Sequence, residues 1–253
     1  MSFDWKDRVV VITGASAGIG AATAREVGRR GGSVVLTARR QPELEGVAKG
    51  IASPAAVVPG DVTQRADVER IVRAALDRFG HVDAWVNNAG RAISRPALDL
   101  TDDDIDTMFR DNVKSAMYGM QAIVPHFKER GRGHILNVSS FLGRAPFAPI
   151  RSAYSAAKHA LCSLTENVRM DLAKEFPEIV VTCVLPGVVK TDFGLNALGS
   201  GGPDNRHIPG GQTAEEVAAV IADAIAGRKN GDVYTAPGAL DRAVKYLTDL
   251  AKV

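Results

Sequence analysis

Several short stretches of the chain are largely apolar on both faces, with only isolated polar residues: residues 9–13, 33–38, 55–59, 82–87, 134–139, 179–185 and 232–235. Each is rich in Val or Ile and shows no polar face. A strand with one side in water alternates apolar and polar residues. Apolarity on both faces therefore predicts strands covered on both sides, as in a parallel sheet between two layers of helices. The intervals carry the helical period. Over residues 67–79, Val68, Ile71, Val72, Ala75, Leu76 and Phe79 form one apolar stripe, which Gly80 ends. Longer helical patterns run over 101–130 and 152–176, and a short one over 239–253. Strand and helix alternate from Arg8 to about Thr235 with no long linker, low-complexity tract or internal repeat. This predicts a single α/β domain over residues 1–253 with a doubly wound parallel sheet of about seven strands. The rhythm fails where Gly199, Gly201, Gly202, Pro203, Pro209, Gly210 and Gly211 crowd together, and a mobile substrate-loop insert is expected over about 193–211.

The first strand runs through Thr13-Gly14-Ala15-Ser16-Ala17-Gly18-Ile19-Gly20 into a helical stretch. A backbone that turns sharply and then approaches a pyrophosphate needs glycine, and a helix N-terminus presents N–H groups to the anion. Such a turn is also compatible with a tight connection that holds no ligand. Its place after the first strand of an alternating pattern is what points to a nucleotide.

The spacing G-x-x-x-G-x-G resembles that of the short-chain dehydrogenase/reductase family, and further motifs follow in that family's order. They are Asp61-Val62 after the third strand, Asn87-Asn88-Ala89-Gly90 closing the fourth, Asn112 in a long helix, Ser139-Ser140 ending the fifth, Tyr154-Ser155-Ala156-Ala157-Lys158, and Pro186-Gly187 after the sixth. The set spans about residues 6–192. The resemblance implies a Rossmann-type fold, a nicotinamide dinucleotide, and a homodimer or homotetramer built on the helices at 101–130 and 152–176. It implies cofactor contacts from Gly14, Ser16, Ala17, Gly18, Ile19 and Gly20, and from Asp61, Val62, Asn88, Ala89 and Gly90. Further contacts would come from Tyr154, Lys158, Pro186, Gly187, Val189 and Thr191. Asp61 would bond the adenine amino group, Asn87 would tie the central strand to its neighbour, and Val188 and Thr191 would meet the nicotinamide carboxamide. Asn87 and Asn88 also suit a turn, and Asp61 a helix cap.

The end of the second strand, Leu36-Thr37-Ala38-Arg39-Arg40, has no carboxylate to accept from a ribose 2′-hydroxyl. Arg39, with Arg40 beside it, offers a guanidinium that can fork onto a 2′-phosphate, so NADP is expected in preference to NAD. A solvated arginine pair is the alternative. Many NADP-using relatives carry a second basic residue where Ala17 stands.

Tyr154 and Lys158 are four residues apart in a helical stretch, so they share one face. A fixed ammonium about 4 Å from a phenol contributes roughly 4 kcal/mol at an effective dielectric of 20, or about three pK units. Tyr154 is thereby expected to titrate near physiological pH and to serve as general acid and base. The resemblance implies that Lys158 also holds the nicotinamide ribose, that Ser140 orients the reacting oxygen, and that Asn112 positions a water in a proton relay. Ser140 is preferred to Ser139 because it lies nearer the loop to Tyr154 and alternation sends the two hydroxyls opposite ways.

Loops over 91–98, 141–152 and 188–209 should frame a substrate pocket lined by Ile93, Phe141, Leu142, Pro146, Phe147, Ile150, Val189, Phe193, Leu195 and Leu198. That majority favours an apolar aldehyde, ketone or secondary alcohol. Arg91, Arg95, Arg144 and Arg151 could meet an acidic group, or be solvated loop arginines.

With 31 Lys+Arg against 29 Asp+Glu, a net charge of +2 and dispersed basic residues, nothing points to nucleic acid or a membrane surface. Cys162 and Cys183 lie in apolar segments without C-x-x-C spacing and are expected to be buried free thiols, which suits a cytoplasmic protein. The five histidines show no metal-ligand spacing, and no metal is expected. The reading is an NADP(H)-dependent oxidoreductase of apolar carbonyl compounds. The alternatives are a 3-ketoacyl thioester reductase and a non-catalytic NADP-binding regulatory protein.

Overall fold

The computed structural model describes residues 3–199 and 204–250. The expected strands form, several of them shorter than their apolar runs. Along the chain lie β1 (Val9–Thr13), α1 (Gly18–Arg29), β2 (Ser33–Thr37), α2 (Gln41–Lys49), β3 (Ala55–Val57), α3 (Arg65–Phe79), β4 (Ala84–Asn87) and β5 (Ile93–Ser94). Then come α4 (Asp102–Phe109), α5 (Ser115–Arg130), β6 (Gly133–Val138), α6 (Ser152–Ala173), β7 (Ile179–Leu185), β8 (Leu198–Gly199), α7 (Ala214–Ala226), β9 (Gly231–Tyr234) and α8 (Ala239–Leu250).

Seven strands form one parallel sheet in the order β3-β2-β1-β4-β6-β7-β9. Alternation of side chains explains its burial. Val10 and Ile12 face a layer that includes Ala24 and Val27 of α1, Leu44 of α2 and Val217 and Ile221 of α7. Val9 and Val11 face the opposite layer, with Val68 and Ile71 of α3 and Ile123 and Phe127 of α5. Both faces are apolar because both are covered, which is the Rossmann-type doubly wound architecture. The chain moves outward from β1 to β3 and then returns to β4 on the other side of β1. Loops leaving β1 and β4 therefore diverge, and the crevice between them is where such sheets hold ligands.

Two local departures bear on the site. The helical pattern over 101–130 runs unbroken from Asp102 to Arg130 but is not α-helical throughout: between α4 and α5, Arg110–Lys114 form a π-helical turn. Part of the expected loop over 193–211, including Gly201, Gly202 and Pro203, lies outside the described residues. Its described flanks carry structure: β8 pairs with β5, and Asn205–His207 form a 3-10 turn.

Candidate active site

The turn after β1 leads into α1 at Gly18, whose N-cap, Ala17, makes no side-chain capping bond, and the first helical turn holds no acidic residue. Its backbone N–H groups and positive dipole end are left to an outside acceptor. A side chain at Gly20 would place Cβ 2.4 Å from the Gly14 carbonyl oxygen, so this glycine keeps the turn tight. Gly18, with φ of +53°, instead faces Thr191, whose Cγ2 would lie 3.4 Å from an added Cβ. The two cofactor segments expected from the sequence, 14–20 and 186–191, thus confront one another. Asn88 fastens the turn to β4: its backbone N–H donates to Thr13 Oγ1 at 2.9 Å and Nδ2 to the Thr13 carbonyl at 2.8 Å. Ala89 N–H donates to the same hydroxyl at 3.0 Å. Asn87 points elsewhere, donating to Asn137 Oδ1 of β6 at 2.8 Å and to the Ala116 carbonyl at 3.2 Å.

Arg39 and Arg40 are both exposed beyond β2. Arg40 donates to Ser16 Oγ of the glycine turn at 3.0 Å and pairs with Glu43 at 3.3 Å. Arg39 makes no ion pair among the described residues. Asp61 Oδ1 accepts from Thr63 N–H at 3.0 Å and from Thr63 Oγ1 at 2.8 Å, a local turn, while Val62 packs against the α3–α5 layer. This donor set, an uncapped helix end between facing loops with exposed guanidiniums alongside, fits a dinucleotide.

At the carboxyl ends of β6 and β7 the chemical residues converge. Alternation separates the two serines as expected. Ser139 Oγ donates to the Lys158 carbonyl at 3.0 Å, whereas Ser140 bonds the Tyr154 phenol. Ser140 Oγ also accepts from Leu142 N–H at 3.1 Å, which caps a short 3-10 turn and fixes the hydroxyl. Tyr154 and Lys158 lie on the inner face of α6, 7% and 3% exposed. Lys158 Nζ donates to the Val138 carbonyl at 2.9 Å and stands 5.6 Å from the Tyr154 ring centroid. Phe193 meets the same ring edge-on at 5.7 Å.

The electrostatics correct one expectation. The phenol is not drawn toward neutral pH: burial pushes it up to about 12, against the opposing pull of the Ser140 hydrogen bond and the Arg151 charge. Burial also lowers Lys158 to about 8. Both charged forms lose hydration in the same enclosed space, and the amine is anchored to a backbone carbonyl, so desolvation sets the direction for each.

Asn112 sits in the π-helical turn, 1% exposed. Its Nδ2 donates to the carbonyls of Arg91 at 2.9 Å and Met108 at 3.0 Å, and Oδ1 accepts from Arg91 N–H at 3.2 Å. The side chain thereby clamps the backbone just after Gly90, where an added Cβ would lie 3.5 Å from Lys158 Nζ. A π-turn carries one residue more per turn than the α-helical period allows for, so periodicity could not place it.

The expected pocket residues divide. Ile93, Leu142, Phe193 and Leu198 pack around Tyr154. Phe147 instead stacks on Phe141 and on Tyr246 of α8, with ring centroids 5.8 and 5.1 Å apart. Arg151, grouped with loop arginines in the sequence, is buried. Its place three residues before Tyr154, on the face that also carries Lys158, was the available signal. Cys162 and Cys183 are buried and free, and the fold brings their sulfurs to 3.6 Å. Among the described residues no group of three metal-ligating side chains gathers, and no helix is long and apolar enough to cross a membrane.

Residues 8–197 match the family profile of short chain dehydrogenases. An uncharacterized oxidoreductase of Staphylococcus epidermidis is 35% identical over 195 residues, covering 75% of this chain and 84% of that protein. A short-chain dehydrogenase/reductase from Burkholderia phymatum, solved with NAD, superimposes with a TM-score of 0.88 at 26% identity, over 98% of this chain and 96% of that one. A short-chain dehydrogenase from Burkholderia cenocepacia, solved with NADP, gives 0.82 at 29% identity, over 93% and 99%. With its parallel sheet, uncapped glycine turn and convergent Ser140, Tyr154 and Lys158, this chain belongs to the short-chain dehydrogenase/reductase family of oxidoreductases.

Proposed function

We propose that the protein is an NADP(H)-dependent reductase of carbonyl compounds, interconverting a largely apolar ketone or aldehyde and its alcohol. The observation that carries this reading is the convergence of Ser140, Tyr154 and Lys158 at the sheet edge beside the facing loops of the cofactor crevice. When bound there, the dinucleotide supplies or accepts the hydride. The first turn of α1 holds its pyrophosphate, and Pro186, Gly187, Val188, Val189 and Thr191 flank its nicotinamide end. Asp61 and Val62 border the adenine, and Asn88, Ala89 and Gly90 support the crevice floor. Arg39 takes the 2′-phosphate that distinguishes NADP. Arg40, held against Ser16, supports that choice by adding a cation where Ala17 offers none.

Tyr154 donates the phenolic proton to the carbonyl oxygen during reduction. A phenol near 12 is fully protonated at neutral pH, so it stands ready as the acid. Ser140 holds the same oxygen by a second hydrogen bond. The Lys158 ammonium, buried nearby, stabilises the negative charge left on the phenolate. Asn112 keeps the Arg91 backbone, and with it the Gly90 approach to Lys158, in position for proton resupply. Ile105 of α4 and Met170 of α6, apolar yet exposed, support association of copies into a homodimer or homotetramer.

NADPH oxidation across a panel of ketones and aldehydes tests the reading. Tyr154→Phe should lower turnover by about a hundredfold or more while NADPH binding, followed by nicotinamide fluorescence, persists. Turnover retained in that variant rejects the mechanism.

A further inference from the structure

Arg151 lies directly before α6 and is 8% exposed. Its backbone braces the loop that follows β4: Arg95 and Arg151 form a parallel bridge, and Arg95 N–H donates to the Ile150 carbonyl at 2.7 Å. The side chain turns inward, where Nη1 donates to the Ile93 carbonyl at 3.3 Å. Ile93 is part of the apolar cluster that contains Tyr154 and Phe193. The Tyr154 phenol lies one helical turn away on the same face, and its charged form would favour that of the guanidinium.

Of the other loop arginines, Arg95 is neutralised by Asp104 at 2.7 Å and Arg144 by Asp232 at 2.9 Å, while Arg91, which has no ion pair among the described residues, is only partly buried. Among the described residues no carboxylate pairs with Arg151. A guanidinium carries five N–H donors. One long bond to a neutral carbonyl does not offset the cost of enclosing its charge, and burial holds Arg151 below the usual range. A buried cation beside the proton donor, with unspent donors and no internal anion, is arranged to receive an anion from outside the chain.

We propose that Arg151 is a specificity-determining residue: its guanidinium binds a carboxylate on the substrate, about one helical turn from the carbonyl that Tyr154 protonates. The substrate class becomes an oxo acid, or the matching hydroxy acid, with an apolar remainder. This inference rests on the reading of Tyr154 as general acid and narrows the substrate of that site.

The test is steady-state kinetics of the full chain with NADPH. The substrates are a homologous series of aliphatic oxo acids, the carboxylate moved one methylene at a time from the carbonyl, together with their methyl esters. For the member whose spacing matches, kcat/KM of the acid should exceed that of its ester by about ten- to a hundredfold. Arg151→Met should erase this ratio through the KM of the acid, and Arg151→Lys should keep part of it. Wild-type protein that turns over acids and esters alike overturns the inference but leaves the carbonyl reductase reading standing. A ratio that survives Arg151→Met, with both substrates slowed by one factor, marks a brace for Ile93 and also overturns it. Should Arg151→Met fail to fold, the wild-type ratio and Arg151→Lys decide. No turnover of any carbonyl compound, neutral or acidic, removes both readings.

Discussion

Burial draws Lys158 down to about 8 and lifts Tyr154 to about 12, so the pair responds to pH through the amine first. Reduction needs the phenol protonated, a condition kept until the pH approaches 12, and the ammonium charged, a condition lost as pH rises through about 8. The kcat/KM for reduction, which reports the free enzyme, should therefore be level below that point and fall by about a decade per pH unit above it. Lys158→Arg keeps a cation that does not deprotonate in this range, so whatever activity remains should lack the alkaline limb. A wild-type profile flat to pH 10 would contradict the assignment. That Tyr154 and Lys158 share a helix face was legible from their spacing, whereas their place in a site was implied only by the ordered set of motifs around them. Their titration was not legible, since it depends on how much water the surrounding fold removes from both groups.

At the scale of elements, the approach of α5 to β4 shows how little room the site's scaffold leaves. An added Cβ at Gly119 would fall 2.3 Å from Asn87 Oδ1 and 2.5 Å from Trp85 Nε1, two atoms that hydrogen-bond to one another at 2.7 Å. Gly119→Ala must displace that bond or the helix, and should lower stability by about 1–3 kcal/mol, read as a lower thermal midpoint. Gly46 is the internal comparison, because it lies mid-helix in α2 with nothing within 4 Å of an added Cβ. Gly46→Ala should leave stability unchanged or raise it by about 0.5–1 kcal/mol through helix propensity. Equal effects at both positions would show that the contact is not the cause. The stripe over 67–79 and the left-handed cap at Gly80, with φ of +76°, follow directly from period and punctuation. The π-turn at Arg110–Lys114 does not, because no residue there breaks the helical pattern; the side chain of Asn112 is spent on Arg91 across the loop.

The whole molecule joins two sites into one crevice, so occupancy of one end should be felt in global stability. A ligand bound only by the folded chain raises stability by about 2.7 kcal/mol at a hundred times its dissociation constant. NADPH should raise the thermal midpoint more than NADH at equal concentration, and Arg39→Ala should close the gap between them. Equal shifts in the unmodified protein would count against Arg39 as the discriminating cation. By itself the sequence determined the α/β class, most of the strands and helices, and the ordered motifs, because these depend on local period, turn chemistry and short spacing. Only the tertiary structure decided that Arg151 is enclosed rather than solvated, that Cys162 and Cys183 meet, that Arg40 reaches Ser16, and that the phenol is weakly acidic. Each of these turns on which distant segments exclude water around a side chain. Exclusion of that kind is set by packing across the sheet and is not written into neighbouring positions of the chain.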